Sequence, residues 1–277
     1  MRNRILKVGH AFWQLAFFGV PLLLLLIVSF WTFNGYRLTP TATLANYRSL
    51  LQQQAFSQAL ATSIAMGLVS GLLTVLISAP ASLAMFFWVR REINAVLLFL
   101  FLLPFLSSFT VRTFSWYSWL SDSGILGTLL HKLGWGSIHL LNTPYAVLIG
   151  ELSVLAPVGC LLGYSAVSRV DRATIEAAYN LGASFSQVLC YIIWPYLYGG
   201  VAVSFGYSFL FTVADYITPS ILGGNQRYTL AVFIQDRLKI DDWPSAAASS
   251  VILLALLFVL GLVAFGVSRV RVLREPR

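Results

Sequence analysis

The chain has 277 residues, of which 58% are hydrophobic and only 10% are charged. A soluble domain averages about 25% charged residues, so a fold of this composition lacks the polar surface that water requires. The mean hydropathy of +0.80 agrees. These values exclude a soluble enzyme, a nucleic-acid-binding domain and a disordered protein, and they place the chain in a lipid bilayer.

Long charge-free runs predict six membrane-spanning helices, because a helix needs about 20 mostly apolar residues to cross the hydrocarbon core. Pro80 predicts a kink in the second span, and Pro104 interrupts the third. The sequence therefore predicts an all-α integral membrane protein with a single transmembrane domain over residues 1–277. The predicted spans cover residues 12–33, 59–87, 94–120, 145–167, 197–216 and 246–267.

The distribution of Lys and Arg predicts the orientation of these spans, since basic residues collect in short cytoplasmic segments. Six spans place both termini on one side, and most of the 18 basic residues fall on that side. Both termini are therefore predicted to be cytoplasmic. The first apolar run exceeds the 7–15-residue core of a signal peptide, which favours an uncleaved helix. The basic residues on the terminal side are Arg2, Arg4, Lys7, Arg90, Arg91, Arg169, Arg172, Arg269, Arg271, Arg274 and Arg277.

The segment between the fourth and fifth spans predicts two capped helices. Asp171 is a good N-cap for a helix that runs to about Leu181. Gly182 suits the position after that helix, where a left-handed backbone is needed. Ser184 and Gln187 then form the S-x-x-Q pattern of a capping box for a second helix. From composition alone, an ordinary loop with two capped helices is the preferred interpretation.

The same segment resembles the EAA motif of bacterial ABC importer permeases. The resemblance rests on Glu176 with the two alanines after it, a glycine six residues after Glu176 and Pro195 nineteen after it. It implies that residues 168–195 form a cytoplasmic coupling helix that docks into a cleft on an ATP-binding subunit. Glu176 either contacts that subunit or favours the N-terminus of its own helix. The implied coupling residues are Asp171, Glu176, Ala177, Ala178, Gly182 and Ala183.

From about Leu44 to Phe265, the chain resembles the polyamine (spermidine/putrescine) branch of these type I permeases. Members with this pattern also carry other small solutes, including phosphonates, thiamine or ferric iron. The shared elements are Leu103-Pro104, Phe109 to Arg112 with Trp116, Ser123 to Leu126, Asn142 to Val147, Asp215 to Gly224 and Asp242 to Pro244.

The resemblance implies a set of partners in the bacterial inner membrane. A periplasmic binding protein would deliver the solute, and a second permease, either a homologous chain or another copy, would complete the path. Two ATPase subunits would hold ATP and Mg, because this chain lacks the G-x-x-x-x-G-K-[ST] loop that cradles phosphates. The chain is therefore expected to bind no cofactor and to catalyse no reaction itself.

Two acidic residues at membrane depth are candidates for the solute path, because a charge there normally faces a cavity or a partner. Asp215 lies near the outer end of the fifth span, and Glu151 replaces an expected apolar residue in the fourth. Carboxylates and aromatic rings can hold the ammonium groups of a polyamine. Interface residues and ion pairs with Arg112 are the competing interpretations. The predicted path residues are Asp215, Tyr216, Trp116, Tyr117, Glu151 and Arg112.

Two other functional classes were considered. A secondary transporter or channel without ATP would require broken helices and ionisable groups near the midplane, and it would leave the EAA-like segment unexplained. A membrane-embedded enzyme would require clustered His, Asp or Glu near one interface, which this sequence lacks.

Overall fold

A computed structural model describes residues 2–132, 139–224 and 229–272 of the chain. Helices form almost all of its regular structure. The first part contains α1 (Arg2–Val28), the antiparallel pair β1 (Thr32–Phe33) and β2 (Leu38–Thr39), α2 (Ala45–Gln52), α3 (Gln54–Phe87), α4 (Arg91–Leu106), α5 (Phe109–Leu120) and α6 (Ile125–Lys132). The second part contains α7 (Pro144–Val167), α8 (Arg172–Asn180), α9 (Phe185–Gln187), a π-helical segment (Val188–Ile193), α10 (Trp194–Ala214), α11 (Ile217–Leu222), α12 (Leu230–Lys239) and α13 (Trp243–Val272).

The chain packs as two compact units, Met1–Leu60 with Leu230–Arg277, and Ala61–Thr229. In the first unit, α13 packs against α1, α2 and α12. Phe56 meets Phe233 edge to face at 5.7 Å between ring centroids. Arg237 donates a hydrogen bond to Gln53 Oε1 at 2.8 Å and lies 4.9 Å from the Phe233 ring centroid. One guanidinium thus joins α12 to the start of α3.

In the second unit, α7 is the central helix and packs against α4, α5, α10 and α11. Its closest approaches use residues without bulky side chains. A Cβ atom on Gly159 would lie 2.7 Å from Ser204 Oγ of α10 and 2.8 Å from Ser78 Cβ of α3. Ser82 of α3 donates a hydrogen bond to the Cys160 carbonyl at 3.1 Å. Small residues at these contacts let the helix backbones approach closely, as is common in membranes.

Within the described residues, four continuous helices are long and apolar enough to cross a membrane: Gln54–Phe87, Pro144–Val167, Phe185–Ala214 and Trp243–Leu262. They correspond to the predicted second, fourth, fifth and sixth spans. In the first predicted span, the apolar stretch Trp13–Val28 is shorter than this criterion. The predicted all-α membrane architecture is confirmed, whereas the count of six continuous spans is not.

The third predicted span, 94–120, is wrong as a single helix. The structure has two helices that meet at an angle of 95°. The break lies at Ser107 and Ser108, which have extended backbone angles, and not at Pro104 inside α4. Arg112 reaches back across the bend and donates to the Pro104 carbonyl, which also accepts from Ser107 Oγ at 3.1 Å. These side chains satisfy a carbonyl that the bend would otherwise leave unpaired.

The fifth span also differs from its predicted bounds of 197–216. The helix starts at Phe185, runs through the π-helical segment and ends at Ala214. Pro195 lies at the start of α10, where its missing N–H is tolerated because the π-helical turn precedes it. The second capped helix of the coupling segment is therefore the beginning of the span itself.

We expect Gly159→Ala to destabilise the protein because the new methyl group would collide with α3 and α10. Overpacking of this kind costs about 1–3 kcal/mol. Gly206→Ala in α10 is the matched control, since a Cβ there meets no atom within 4 Å. Gly206→Ala should leave the stability of the protein unchanged or raise it slightly, because alanine has a higher helix propensity than glycine. Thermal unfolding of the detergent-purified protein measures both, and equal midpoints for the two variants would contradict the packing described for α7.

Candidate functional site

The first candidate site is the capped helix pair between α7 and α10. Asp171 caps α8, and its carboxylate accepts the Ala173 N–H at 3.1 Å. The helix ends at Leu181, and Gly182 follows with a φ of +88°. The Gly182 N–H donates to the Tyr179 carbonyl at 2.9 Å. A side chain at Gly182 would strain this turn, so the glycine sets the angle at which the chain leaves α8.

The second helix of the pair begins with the predicted capping box. The Ser184 N–H donates to Gln187 Oε1 at 2.8 Å, and the Gln187 N–H donates to Ser184 Oγ at 3.4 Å. This reciprocal pair fixes the start of a helix that continues into the membrane span. One long helix therefore connects the corner at Gly182 to Ala214.

A buried cluster anchors α8 to the ends of the spanning helices. Ile175 is buried and packs with apolar side chains of α3, α7, the π-helical segment and α10. Arg172 donates to the Phe86 carbonyl at 3.3 Å, and its guanidinium lies 5.5 Å from the Phe86 ring centroid. The other buried members of this anchor cluster are Phe86, Val167, Val170, Val188, Ile193 and Leu197.

The exposed side of α8 includes only some of the coupling residues that the resemblance implies. Glu176 and Ala177 are exposed, but Ala178 and Ala183 are half-buried and pack against the anchor cluster. Sequence reasoning missed Leu181, which is 89% exposed. It lies six residues after Ile175, about 240° around the helix. The spacing shows that Leu181 and Ile175 lie on different sides of the helix, but which of the two is buried depends on the anchor cluster.

The second candidate site is a polar cluster around Glu151 in the N-terminal third of α7. Its side chain is only 1% exposed. Glu151 Oε2 accepts hydrogen bonds from Ser70 Oγ at 2.6 Å and Thr212 Oγ1 at 2.9 Å. Within the described part of the chain, no cation lies within 4.0 Å of this carboxylate, so hydroxyl groups take the place of the ion pair considered for Arg112.

Asp215 joins this cluster from the end of α10. Its side chain is 8% exposed, and Oδ1 accepts the N–H groups of Ile217 at 2.8 Å and Thr218 at 3.3 Å. Oδ2 is buried and has no hydrogen-bond partner among the described residues. The Glu151 carboxylate lies within Coulombic range of Asp215, as does the Arg112 guanidinium. Asp215 thus starts α11 with one oxygen, and its other oxygen is buried and unpaired among the described residues.

Hydroxyl side chains extend this cluster along α3 and α10. They repeat every four residues, which places each set on one face of its helix. Sequence reasoning missed this repeat, although the spacing shows it. Three of the hydroxyl oxygens, on Thr74, Ser204 and Ser208, are buried without a partner among the described residues. The repeat comprises Ser70, Thr74, Ser78 and Ser82 on α3 and Ser204, Ser208 and Thr212 on α10.

The remaining predicted path residues occupy separate environments. Trp116 is half-buried and packs beside Met66 and Leu120, which makes it a packing residue in this conformation. Tyr117 and Tyr216 are exposed. The structure brings their helices α5 and α11 into contact, but no ring pair joins these aromatics among the described contacts. No group of three or more His, Cys, Asp or Glu residues suited to a metal occurs in the described ranges.

Comparison with known proteins gives consistent matches over nearly the whole chain. A family model described as "Binding-protein-dependent transport system inner membrane component" matches residues 1–272. The spermidine/putrescine transport system permease protein PotB of Haemophilus influenzae is 30% identical over 267 residues, covering 94% of this chain and 93% of that protein. PotB of Escherichia coli is 29% identical, covering 93% of this chain and 94% of its own length.

Solved structures support the fold. A chain of a bacterial ABC transporter involved in the import of the acidic polysaccharide alginate superposes with a TM-score of 0.81 and 17% identity, covering 97% of this chain and 96% of that one. An inward-facing MetNI methionine ABC transporter chain has a TM-score of 0.56 and 13% identity, covering 79% and 97%. The chain therefore belongs to the binding-protein-dependent transport system inner membrane component family, the permeases of ABC importers.

Proposed function

We propose that this chain is a transmembrane subunit of an ATP-driven importer and that it forms part of the path for a polyamine such as spermidine or putrescine. The observation that carries the proposal is the capped helix pair, anchored by Ile175 and exposing Glu176 and Leu181 at the ends of the spanning helices. The similarity to PotB, which is named as a spermidine/putrescine permease, supports the choice of solute.

The proposed assembly follows from the family and from the charge pattern. Two ATPase subunits hold ATP and Mg, a second permease completes the path, and a periplasmic binding protein delivers the solute. Both termini and residues 168–195 face the cytoplasm of the bacterium. This orientation puts the exposed surface of α8 where the ATPase subunits lie and leaves this chain without a cofactor of its own.

The proposed coupling mechanism depends on the stiffness of the capped helix pair. Closure of the ATPase subunits would move α8, and the anchor cluster would pass that movement to α3, α7 and α10 because Ile175 packs among all of them. The caps at Asp171 and Ser184 keep both helices formed while they move. A loose loop would absorb the displacement, whereas two capped helices around a glycine corner convert it into helix rotation.

The polar cluster is the proposed contact for the solute. A polyamine is a flexible polycation, and the free Oδ2 of Asp215 can accept from an ammonium group. Glu151 contributes a second carboxyl group to the same cluster. The exposed rings of Tyr117 and Tyr216 can hold further ammonium groups through cation–π contacts. Trp116 would not contact the solute directly but would hold α5 in place through its packing.

Other members of the family carry phosphonates, thiamine or ferric iron, and these solutes are the alternatives to a polyamine. The two carboxylates favour a cation over an anionic phosphonate. A transporter that works without ATP is the remaining alternative, but it would not explain the anchored helix pair. Measuring which solute the cognate binding protein binds distinguishes the alternatives, since that protein selects the cargo.

We expect Glu176→Lys and Leu181→Ser each to reduce co-purification of the ATPase subunit and solute uptake, because both side chains lie on the exposed side of α8. Glu92→Lys, an equal charge change on the exposed start of α4, is the control. Quantitative pull-down and uptake in cells measure the effect. If both α8 variants retain association and uptake at the level of the control, the coupling surface is wrongly assigned.

We expect Asp215→Asn to lower uptake of a cationic solute by about tenfold or more, because a hydrogen bond to a charged group contributes roughly 1.5–3 kcal/mol. The Asn side chain keeps the oxygen that caps α11, so folding and ATPase association should persist. Asp122→Asn removes an exposed acid as the control. Uptake of labelled spermidine measures both, and unchanged uptake in Asp215→Asn would exclude this residue from the path.

A further inference from the structure

A polar cavity lies where three helices of the Ala61–Thr229 unit end. Its volume is about 520 Å³. It lies beyond the C-terminal ends of α3 and α7 and beside the N-terminal end of α4. Since α3 and α7 qualify as membrane spans, their ends mark the membrane–water interface. The lining residues are Phe86, Val89, Arg90, Asn94, Tyr164, Ser168, Val170 and Arg172.

Two guanidinium groups give this cavity a positive charge. No carboxylate lies within 4.0 Å of Arg90 or Arg172 in the described ranges. The Arg90 side chain makes no hydrogen bond among the described contacts, and Arg172 uses one donor for the Phe86 carbonyl. A guanidinium has five N–H donors, so both arginines retain donors for an anionic ligand. Their charges are uncompensated by the neighbouring described side chains.

The neutral side of the cavity is rigid and polar. Asn94 is 3% exposed, and its Nδ2 donates to the Met85 carbonyl at 2.9 Å and to Tyr164 Oη at 3.3 Å. These bonds tie α4 to α3 and α7. Asn94 Oδ1 is buried and has no hydrogen-bond partner among the described residues. The cavity thus offers Asn94 Oδ1 as an acceptor for a hydroxyl group, beside two guanidinium groups that can donate to an acid.

Exposed apolar side chains lie on α4, whose N-terminal end borders the cavity. Ile93, Val96 and Phe99 are more than half exposed, and they follow Arg90 within three helical turns. Trp88, which directly precedes the lining residue Val89, is also exposed, as is typical of tryptophans at a bilayer interface. A ligand with a charged head and hydrocarbon chains would match this arrangement, with its head in the cavity and its chains along α4.

We propose that this cavity binds a phosphate group that carries a hydroxyl-bearing substituent, as in the headgroup of phosphatidylglycerol. Arg90 and Arg172 bind the phosphate oxygens, and Asn94 Oδ1 accepts from a glycerol hydroxyl. Basic pockets between spanning helices recognise anionic headgroups in this manner. Because Arg172 also starts α8, an occupied cavity would brace the coupling segment against α3.

The test uses the full-length protein, purified in mild detergent with the subunits that accompany it. Native mass spectrometry measures binding of added phosphatidylglycerol, with phosphatidylcholine as the lipid control. Arg90→Gln and Arg172→Gln should each weaken phosphatidylglycerol binding roughly fivefold or more, since one basic residue contributes about that factor at an anionic surface. Arg169→Gln removes an equal charge from the same turn without lining the cavity, and it should bind like the unmodified protein.

A competition arm distinguishes the source of the phosphate. If glycerol 3-phosphate displaces the lipid with the same dependence on Arg90, the phosphate site stands and its ligand is soluble. If phosphatidylglycerol binding depends on Arg90 and glycerol 3-phosphate does not displace the lipid, the ligand is the lipid. Equal weakening in all three arginine variants indicates a general surface charge effect and overturns the proposal. Unchanged lipid binding in Arg90→Gln also overturns it, and because that side chain has no described internal contact, misfolding should not obscure the result.

Discussion

The close approach of α7 to α3 and α10 is the constraint on which the rest of this unit depends. Lipid chains are as apolar as leucine, so helices in a bilayer associate through tight packing and interhelical hydrogen bonds. Gly159 provides the packing, because its missing side chain is replaced by contact with Ser78 and Ser204. Glu151 provides the hydrogen bonds, because one carboxylate oxygen accepts from both flanking helices. A larger residue at Gly159 would separate the helices and leave a buried charge without its partners, so the packing and the polar cluster require each other.

The same three helices extend to the coupling segment, which explains why one chain can link an exposed corner to a buried carboxylate. The anchor cluster around Ile175 receives side chains from the ends of α3, α7 and α10. The anchor cluster therefore connects α8 to the helices that surround Glu151. The helix from Phe185 to Ala214 is continuous across its π-helical turn, and it ends where Asp215 begins α11. The capping box and the proposed solute contact thus lie at opposite ends of one helix.

Local features of this site could be predicted from the sequence, whereas features that depend on distant partners could not. The caps at Asp171 and Ser184 and the corner at Gly182 involve residues within a few positions of each other, and the structure has all three. The bend between α4 and α5 was placed at Pro104, but the chain turns at Ser107 and Ser108. There Arg112 supplies a donor from the next helix. The resemblance implies that Ala178 and Ala183 are coupling residues, but both are half-buried, because burial depends on which side of α8 meets the anchor cluster. The hydroxyl partners of Glu151 come from positions 81 and 61 residues away, beyond the reach of any local pattern.

The hydroxyl groups that remain unpaired in this conformation bear on how such a bundle can change shape. Thr74, Ser204 and Ser208 have buried oxygens without partners among the described residues, although hydroxyls can also bond to carbonyls of their own helix. An interhelical hydrogen bond in a membrane contributes only about 0.6 kcal/mol on average, so exchanging one partner for another costs little. Because the hydroxyls repeat every four residues, rotation or sliding of α10 past α7 brings another hydroxyl toward Glu151. A fully apolar contact would offer no second set of bonds, and a row of strong ion pairs would resist release. Weak, repeated hydroxyl contacts around one buried carboxylate therefore suit a bundle that must alternate between two packed states.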